Sequence, residues 1–371
     1  MHHPLIPLIS LISFFGLISP ALSTEFTAEV ESDVHYKRQI PIYLQHDLGD
    51  ISIQGWNQDL IRVKLKKTAT AESETAAAEI FKKFELVSLE TPSAIELRIG
   101  TPLGTDLLTK LRNRQNRKNI RVDLEIKAPI ALALTLVAGQ ERKIRLSQWR
   151  GKVDITGKQS PVEMSKVRSN QALNLNCPDC LIGISDSEFS GSIISGNQGV
   201  ELKKTTSMSK PILIFSQNGN VSLSQTQGEI QVRTQNGNIS SAVHQGDLHL
   251  QSEQGKIALD DLDGELDAQT ASGDIRMNAR KIGKSVELKS KSGAFELILP
   301  RDYSGEFDLQ SIQGEAKTDF NIQVDRKNEK EEYGPDIKGK LAGRVGTGGR
   351  SSIIAFTESG SIVVKRKSVT P

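Results

Sequence analysis

The chain has 371 residues, enough for a large buried core or for two domains, and its 47 Lys+Arg against 45 Asp+Glu leave a formal charge of +2. That balance speaks against a dedicated nucleic-acid binder, which needs a strongly basic surface. Aromatics make up only 5% while glycine occurs 30 times, a composition that suits a thin β-structure with many turns better than a thick-cored enzyme domain.

Residues 5–22 are almost uninterruptedly apolar and end in Ala21-Leu22-Ser23, small residues at the positions a signal peptidase reads. The expectation is a signal peptide over 1–23, although its first turn carries only His2 and His3 and no Lys or Arg. An uncleaved anchor is the alternative, because the stretch nearly reaches membrane-spanning length. Pro4, Pro7, Pro20 and Gly16 make it a poor permanent helix, which favours cleavage. No cysteine follows Ser23 to make a lipoprotein, and no later segment is apolar enough to span a bilayer, so the mature chain is expected to be exported.

Residues 24–150 read as an N-terminal α+β cap. Gly49-Asp50-Ile51-Ser52-Ile53 and Ile61-Arg62-Val63-Lys64-Leu65 alternate apolar and polar with period two, as half-buried strands do. Between 71 and 84 the period changes, and Ala77, Ile80, Phe81 and Phe84 fall on one face of an amphipathic helix. Residues 95–99 and 120–126 alternate again and read as a strand pair.

Residues 151–320 carry a repeat. Gly219, Gly228, Gly237, Gly246, Gly255, Gly264 and Gly273 fall nine residues apart, the mark of a repeat architecture. Two positions after each glycine stands an aliphatic residue: Val221, Ile230, Ile239, Leu248, Ile257, Leu266 and Ile275. Four positions after it the residue is mostly aliphatic, and those between are mostly polar, so each unit is a short strand with two inward side chains. The glycine is expected to supply a backbone angle that a β-carbon resists. A lone strand cannot bury its apolar pair, whereas stacked units make a narrow continuous core. Asn218 and Asn236 recur before alternate glycines, pointing to a doubled period. The expected fold is therefore mainly β, a β-solenoid of about 18 residues per coil. The last segment, 321–371, holds a charged and Gly-rich loop and two strands, 351–356 and 361–365, expected to cap the last coil.

The opening Gly49-Asp50-Ile51-Ser52-Ile53 with Gly55-Trp56, then Ile61-Arg62-Val63-Lys64, resembles the start of the bacterial putative-adhesin family, a domain of unknown function. The helix at 71–84, Lys127-Ala128-Pro129, the Gly-x-Ile-x-x run and Ser359-Gly360-Ser361-Ile362 follow in that family's order. The resemblance covers most of the mature chain. It implies an exported or envelope-associated β-solenoid, and it transfers no catalytic residue.

Nine-residue β-rolls that bind calcium use Gly-Gly-x-Gly-x-Asp. Each unit here has one glycine, and the column after it includes Lys256, which opposes a ladder of metals. The run Asp260, Asp261, Asp263, Glu265 and Asp267 reads as a solvated acidic face, so neither metal nor cofactor is expected. Cys177-Pro178-Asp179-Cys180 holds the only two cysteines, and in an exported chain it reads as a disulfide pinning a turn. Lys110, Arg112, Arg114, Arg117, Lys118 and Arg121 place six cations within twelve residues, a candidate contact for an anionic polymer. No aromatic interleaves them for base stacking, and a solvated hairpin tip is the plainer reading.

His35, His46, His244 and His249 fall in no triad or metal spacing, so no catalytic residue is assigned. The outward Gln, Asn, Ser and Thr form hydrated ladders that can present hydrogen bonds to a glycan. The reading is a non-enzymatic binding or scaffold module whose partner is an envelope or host polysaccharide or an envelope protein, not nucleic acid. The alternative is a β-helix lyase or hydrolase acting on an acidic polysaccharide, with Asp260, Asp267, Arg276 and Lys289 aligned in one strip.

Overall fold

A computed structural model describes residues 8–9, 24–36, 40–100, 120–323, 339–347 and 349–368. The fold is a β-solenoid, as the repeat predicts. Two compact units divide the chain, Met1–Cys180 and Leu181–Pro371.

In the second unit the strand Val221–Gln227 pairs in parallel with Ile239–Gln245, and that strand with Ile257–Thr270, in the register Val221↔Ile239↔Ile257. Ile230–Thr234 pairs with Leu248–Ser252, and Leu248 in turn with Leu266, at the same interval. Each unit thus skips its neighbour in sequence and pairs with the unit after it. Consecutive units belong to two separate ladders, and two units make one coil, which is the doubled period. Inward residues of both ladders are buried, among them Val221, Leu223, Ile230, Val232, Ile239, Leu248 and Ile257, each at most 2% exposed. Removing one such aliphatic side chain from water is worth about 1.5–3 kcal/mol, which is how a thin stack holds together.

The glycines have two physical reasons, not one. Gly228 (φ +91°), Gly246 (φ +125°) and Gly264 (φ +157°) adopt angles that side chains resist. Gly237, Gly255 and Gly273 lack that angle and need to be bare because a β-carbon would collide with the carbonyl of the glycine one coil earlier, a collision that Gly246 and Gly264 would share. The two kinds alternate, which is the doubled period seen from the backbone.

The last strands are not the end of the stack. Ser351–Thr357 lies between Ser285–Ser290 and Gly305–Ser311, parallel to both. Ile362–Arg366 likewise lies between Phe295–Leu299 and Ala316–Thr318. The C-terminal coil is therefore inserted one place inward, and the expectation that it caps the solenoid is corrected. The cap is the earlier coil Gly305–Thr318, closed by the antiparallel strand Gly339–Val345. Its core is an aromatic cluster, with Phe307 stacked on Tyr303 at 5.4 Å and edge-on to Phe320 at 5.8 Å.

The first unit has the same device at its own start. Ile42–His46 lies between Ile95–Gly100 and Leu134–Gln140, and Ile51–Trp56 between Ile120–Pro129 and Ile144–Ser147, all in parallel. Solenoid stacking thus begins inside the segment read as a separate cap. The segments 95–99 and 120–126 are strands as expected but do not pair with each other; each flanks the inserted coil instead. Antiparallel strands cover this end: Thr24–Val34 on Ile61–Ala71, Ile61–Ala71 on Ile120–Pro129, and Glu85–Glu90 on Ile95–Gly100. An open parallel edge would template aggregation, and reversed strands end the series. The helix Glu74–Phe81 is shorter than 71–84; Ser73 caps it by accepting from the Ala76 N–H at 3.2 Å. Its last carbonyls receive the buried Lys67 ammonium, which donates to Phe81 O at 3.0 Å.

Candidate functional site: the outward faces of the coils

Each coil of the second unit closes on a hydroxyl. Thr234, Ser252, Thr270, Ser290, Thr357 and Ser311 end their strands facing inward, and each accepts from the N–H of the glycine three residues on, at 2.8–3.1 Å. Several also donate to the corresponding glycine carbonyl of the adjoining coil, as Ser252 does to Gly237 and Ser311 to Gly360. This Ser/Thr-x-x-Gly pattern is plain in the sequence once sought, but a reading keyed to glycine alone passes over it. Beside it runs an amide ladder, in which Asn236 donates to Asn218 at 2.6 Å and Asn218 to Asn197 at 2.5 Å. The opposite corner is built from left-handed non-glycine residues, one per coil: Asp186, Lys204, Gln225, Val243 and Asp261, with φ from 48° to 62°. No sequence signal marks them.

With both corners pinned, side chains repeat in register on two outward faces. On the face of the Val221 ladder, Ala258, Arg276, Ala294, Glu296, Val363 and Lys365 border a shallow open depression of about 430 Å³. Its charges are matched: Lys365 donates to Glu296 at 2.8 Å, Arg276 stands 3.6 Å from the same carboxylate, and Lys256 lies 3.4 Å from Asp274. The Lys365 hydrogen bond holds the Glu296 carboxyl below its ordinary range. On the face of the Ile230 ladder, one row runs Ile194, Phe215, Arg233, Gln251, Gln269, Lys289 and Phe356, each paired with the next. The row beside it runs Leu213, Gln231, His249, Asp267, Glu287 and Ile354.

The predicted acidic run is divided among these surfaces. Asp260 sits on the first face, Asp261 at the corner, and Asp267 on the second. Arg280 reaches both Asp261 (3.9 Å) and Asp263 (3.2 Å), Lys284 lies 3.9 Å from Glu265, and Gln269 donates to Asp267 at 3.1 Å. Among the described residues no group of three or more His, Cys, Asp or Glu is arranged to hold a metal. His249 stands 4.0 Å from both Glu229 and Asp267 on the exposed surface. The strip of Asp260, Asp267, Arg276 and Lys289 does not form, because Asp260 and Arg276 belong to one ladder and Asp267 and Lys289 to the other.

Of the basic stretch, Lys110, Arg112, Arg114, Arg117 and Lys118 lie outside the described residues. Arg121 is taken up by structural partners: its guanidinium donates to Asp123 at 2.8 Å and to Asp50 at 2.7 Å. Those carboxylates also bind backbone, since Asp123 accepts from Asp50 N and Asp50 from Lys143 N. Cys177 and Cys180 are disulfide-bonded, fully buried, and flank Asp179 in a left-handed turn. The Ser160 N–H donates to the Cys180 sulfur, tying that turn to the coil before it.

The displaced titrations complete the electrostatics. Asp33, Glu79, Glu163, Glu296 and Glu315 all shift down, each chiefly through a hydrogen bond from a Lys or Arg. His46 and His244 are pushed down to about 4 by burial, and burial raises the Tyr303 phenol. The shifted histidines and the phenol are groups of the interior, not of the faces.

No curated protein matches the chain. A putative cell adhesion protein from Clostridium sporogenes ATCC 15579 aligns over 92% of this chain and 100% of its own, at 13% identity and a TM-score of 0.22. A putative lipid binding protein from Parabacteroides distasonis ATCC 8503 aligns over 93% and 97%, at 9% identity and a TM-score of 0.26. Both are too distant to speak to function. The profile of the Toastrack DUF4097 family, by contrast, matches residues 142–345, more than half of the chain and most of its coils, so the chain belongs to the Toastrack DUF4097 family.

Proposed function

We propose that this chain is an exported, non-enzymatic binding or scaffold module of the cell envelope. The observation that supports it most is the pair of outward faces, where side chains recur coil by coil at about 4.8 Å spacing and, on one face, border a shallow open depression. Such a surface suits an extended polymer or a flat protein better than a small substrate. Acid catalysis of glycoside cleavage needs a carboxyl raised toward neutrality, whereas each described carboxyl that is displaced moves the other way. The division of Asp260, Asp267, Arg276 and Lys289 between two ladders also weighs against the lyase or hydrolase alternative.

Export is supported by the apolar stretch before Ser23 and by a disulfide, which persists in oxidising compartments. No described helix is long and apolar enough to cross a membrane. The test is a pull-down of residues 24–371 against envelope polymers, host-matrix glycans and solubilised envelope proteins at several salt concentrations. Saturable capture without cleavage of one of them supports the module. Cleavage of the captured polymer, or no capture at all, overturns it.

A further inference from the structure

The face of the Ile230 ladder differs from its counterpart in what it leaves exposed. Phe215 is 38% exposed and Ile194, its partner in the next coil, 40%; at the other end of the row Ile354 is 38% exposed beside Phe356. Between the two rings stand Arg233, Gln251, Gln269 and Lys289, one per coil. Five steps of about 4.8 Å separate the rings, so the row is about 24 Å long. Its groups are held in place: Gln269 donates to Asp267, and Lys289 lies 3.8 Å from Glu287.

Apolar rings at the ends, with the Gln251 and Gln269 amides in the two middle coils between them, match an extended sugar chain. Pyranose faces carry C–H groups that pack on aromatic rings, and their rims carry hydroxyls that pair with amides. The step from coil to coil is close to the length of one pyranose in an extended chain. Charge selects the kind of sugar. Asp267 and Glu287 stand in the row beside it, paired with Gln269 and Lys289, and Glu229, Asp247 and Glu265 stand one row further out, so five acids share the face with Arg233, Lys289 and Lys284, the last 3.9 Å from Glu265. A face of that sign repels polyuronates and attracts amines.

We infer that this face binds an extended glycan of amino sugars bearing free ammonium groups, laid along the coil axis across the Phe215–Phe356 row. The inference rests on the binding-module reading and names its ligand class and surface. The test is titration calorimetry of residues 24–371 with the hexamer of glucosamine, the hexamer of N-acetylglucosamine and the hexamer of galacturonic acid.

The glucosamine hexamer is expected to bind, more weakly as salt rises, and the other two to bind at least tenfold more weakly. Phe215→Ala and Gln251→Ala should each weaken binding about three- to tenfold, whereas Arg276→Ala on the other face leaves it unchanged. Phe215 and Gln251 point outward, so unchanged melting temperatures separate lost contact from lost fold. Equal binding of the acetylated or uronate hexamer overturns the inference, as does equal loss with Arg276→Ala. If no hexamer binds while the pull-down captures another polymer or protein, this inference fails and the module reading stands; if nothing is captured, both fail.

Discussion

The Thr357 hydroxyl donates to the carbonyl of Gly293 at 3.0 Å, joining residues far apart in the sequence. That bond places the C-terminal coil directly against the coil of residues 275–299, while Ile362 N donates to Glu315 O on its other side. Among the described strands, the coil Gly305–Thr318 thus has no pairing with the body of the stack except through residues 351–366.

Removal of residues 351–371 is therefore expected to release more than it deletes. Backbone amides of 305–318 and 339–345 should lose their protection in hydrogen exchange, while 221–270 keeps it, because coils depend only on their neighbours. Retained protection in 305–318 would show that this coil docks without the inserted one.

The hydroxyl corners give a second prediction. Thr270→Val keeps the shape and removes the acceptor of the buried Gly273 N–H, held at 2.9 Å. A buried donor left unpaired costs about 1–3 kcal/mol, so the melting temperature should fall, while Thr270→Ser should hold it near the parent. The same fall for both variants would mean that the methyl, not the hydroxyl, stabilises the corner.

Val243 offers a change in the opposite direction. It sits at φ +62° with its side chain 39% exposed, a conformation poorly suited to a β-branched residue. Asn tolerates that region, so Val243→Asn should stabilise by roughly 1 kcal/mol. A thermal melt showing no gain would mean that packing of the valine offsets its strain.

These corners also show what could be read in advance. The two ladders were legible because Asn218 and Asn236 recur before alternate glycines and then bond to each other. The inserted coil was not, because Ile353, Ala355, Ile362 and Val364 alternate as any coil does, and its place depends on the pairing of Val286 with the distant Ile353. The Phe215–Phe356 row was hidden for a related reason. Phe215, Arg233, Gln251 and Gln269 keep one interval, Lys289 comes late by a small insertion, and Phe356 stands far downstream, so no fixed period connects them. The basic stretch was conspicuous as a string of cations, yet its one described member, Arg121, is engaged by Asp50 and Asp123.

Buried imidazoles set the response to acid. His244 is fully buried with Nδ1 2.8 Å from the Thr226 hydroxyl, and His46 is 3% exposed with Nε2 2.7 Å from Val122 O. Burial lowers both from 6.5 to about 4 in the folded chain. The unfolded chain then binds more protons between those values, so stability is full above 6.5 and falls as pH drops toward about 4. The slope is at most about 1.4 kcal/mol per pH unit for each histidine, and it flattens below the folded value. Denaturant melts of the parent and of His244→Gln from about pH 7.5 to about pH 4 check the sign and the source. The variant should lose the His244 share of the slope while keeping that of His46; a parent whose stability rises on acidification through this window would reverse the assignment of neutral, buried imidazoles.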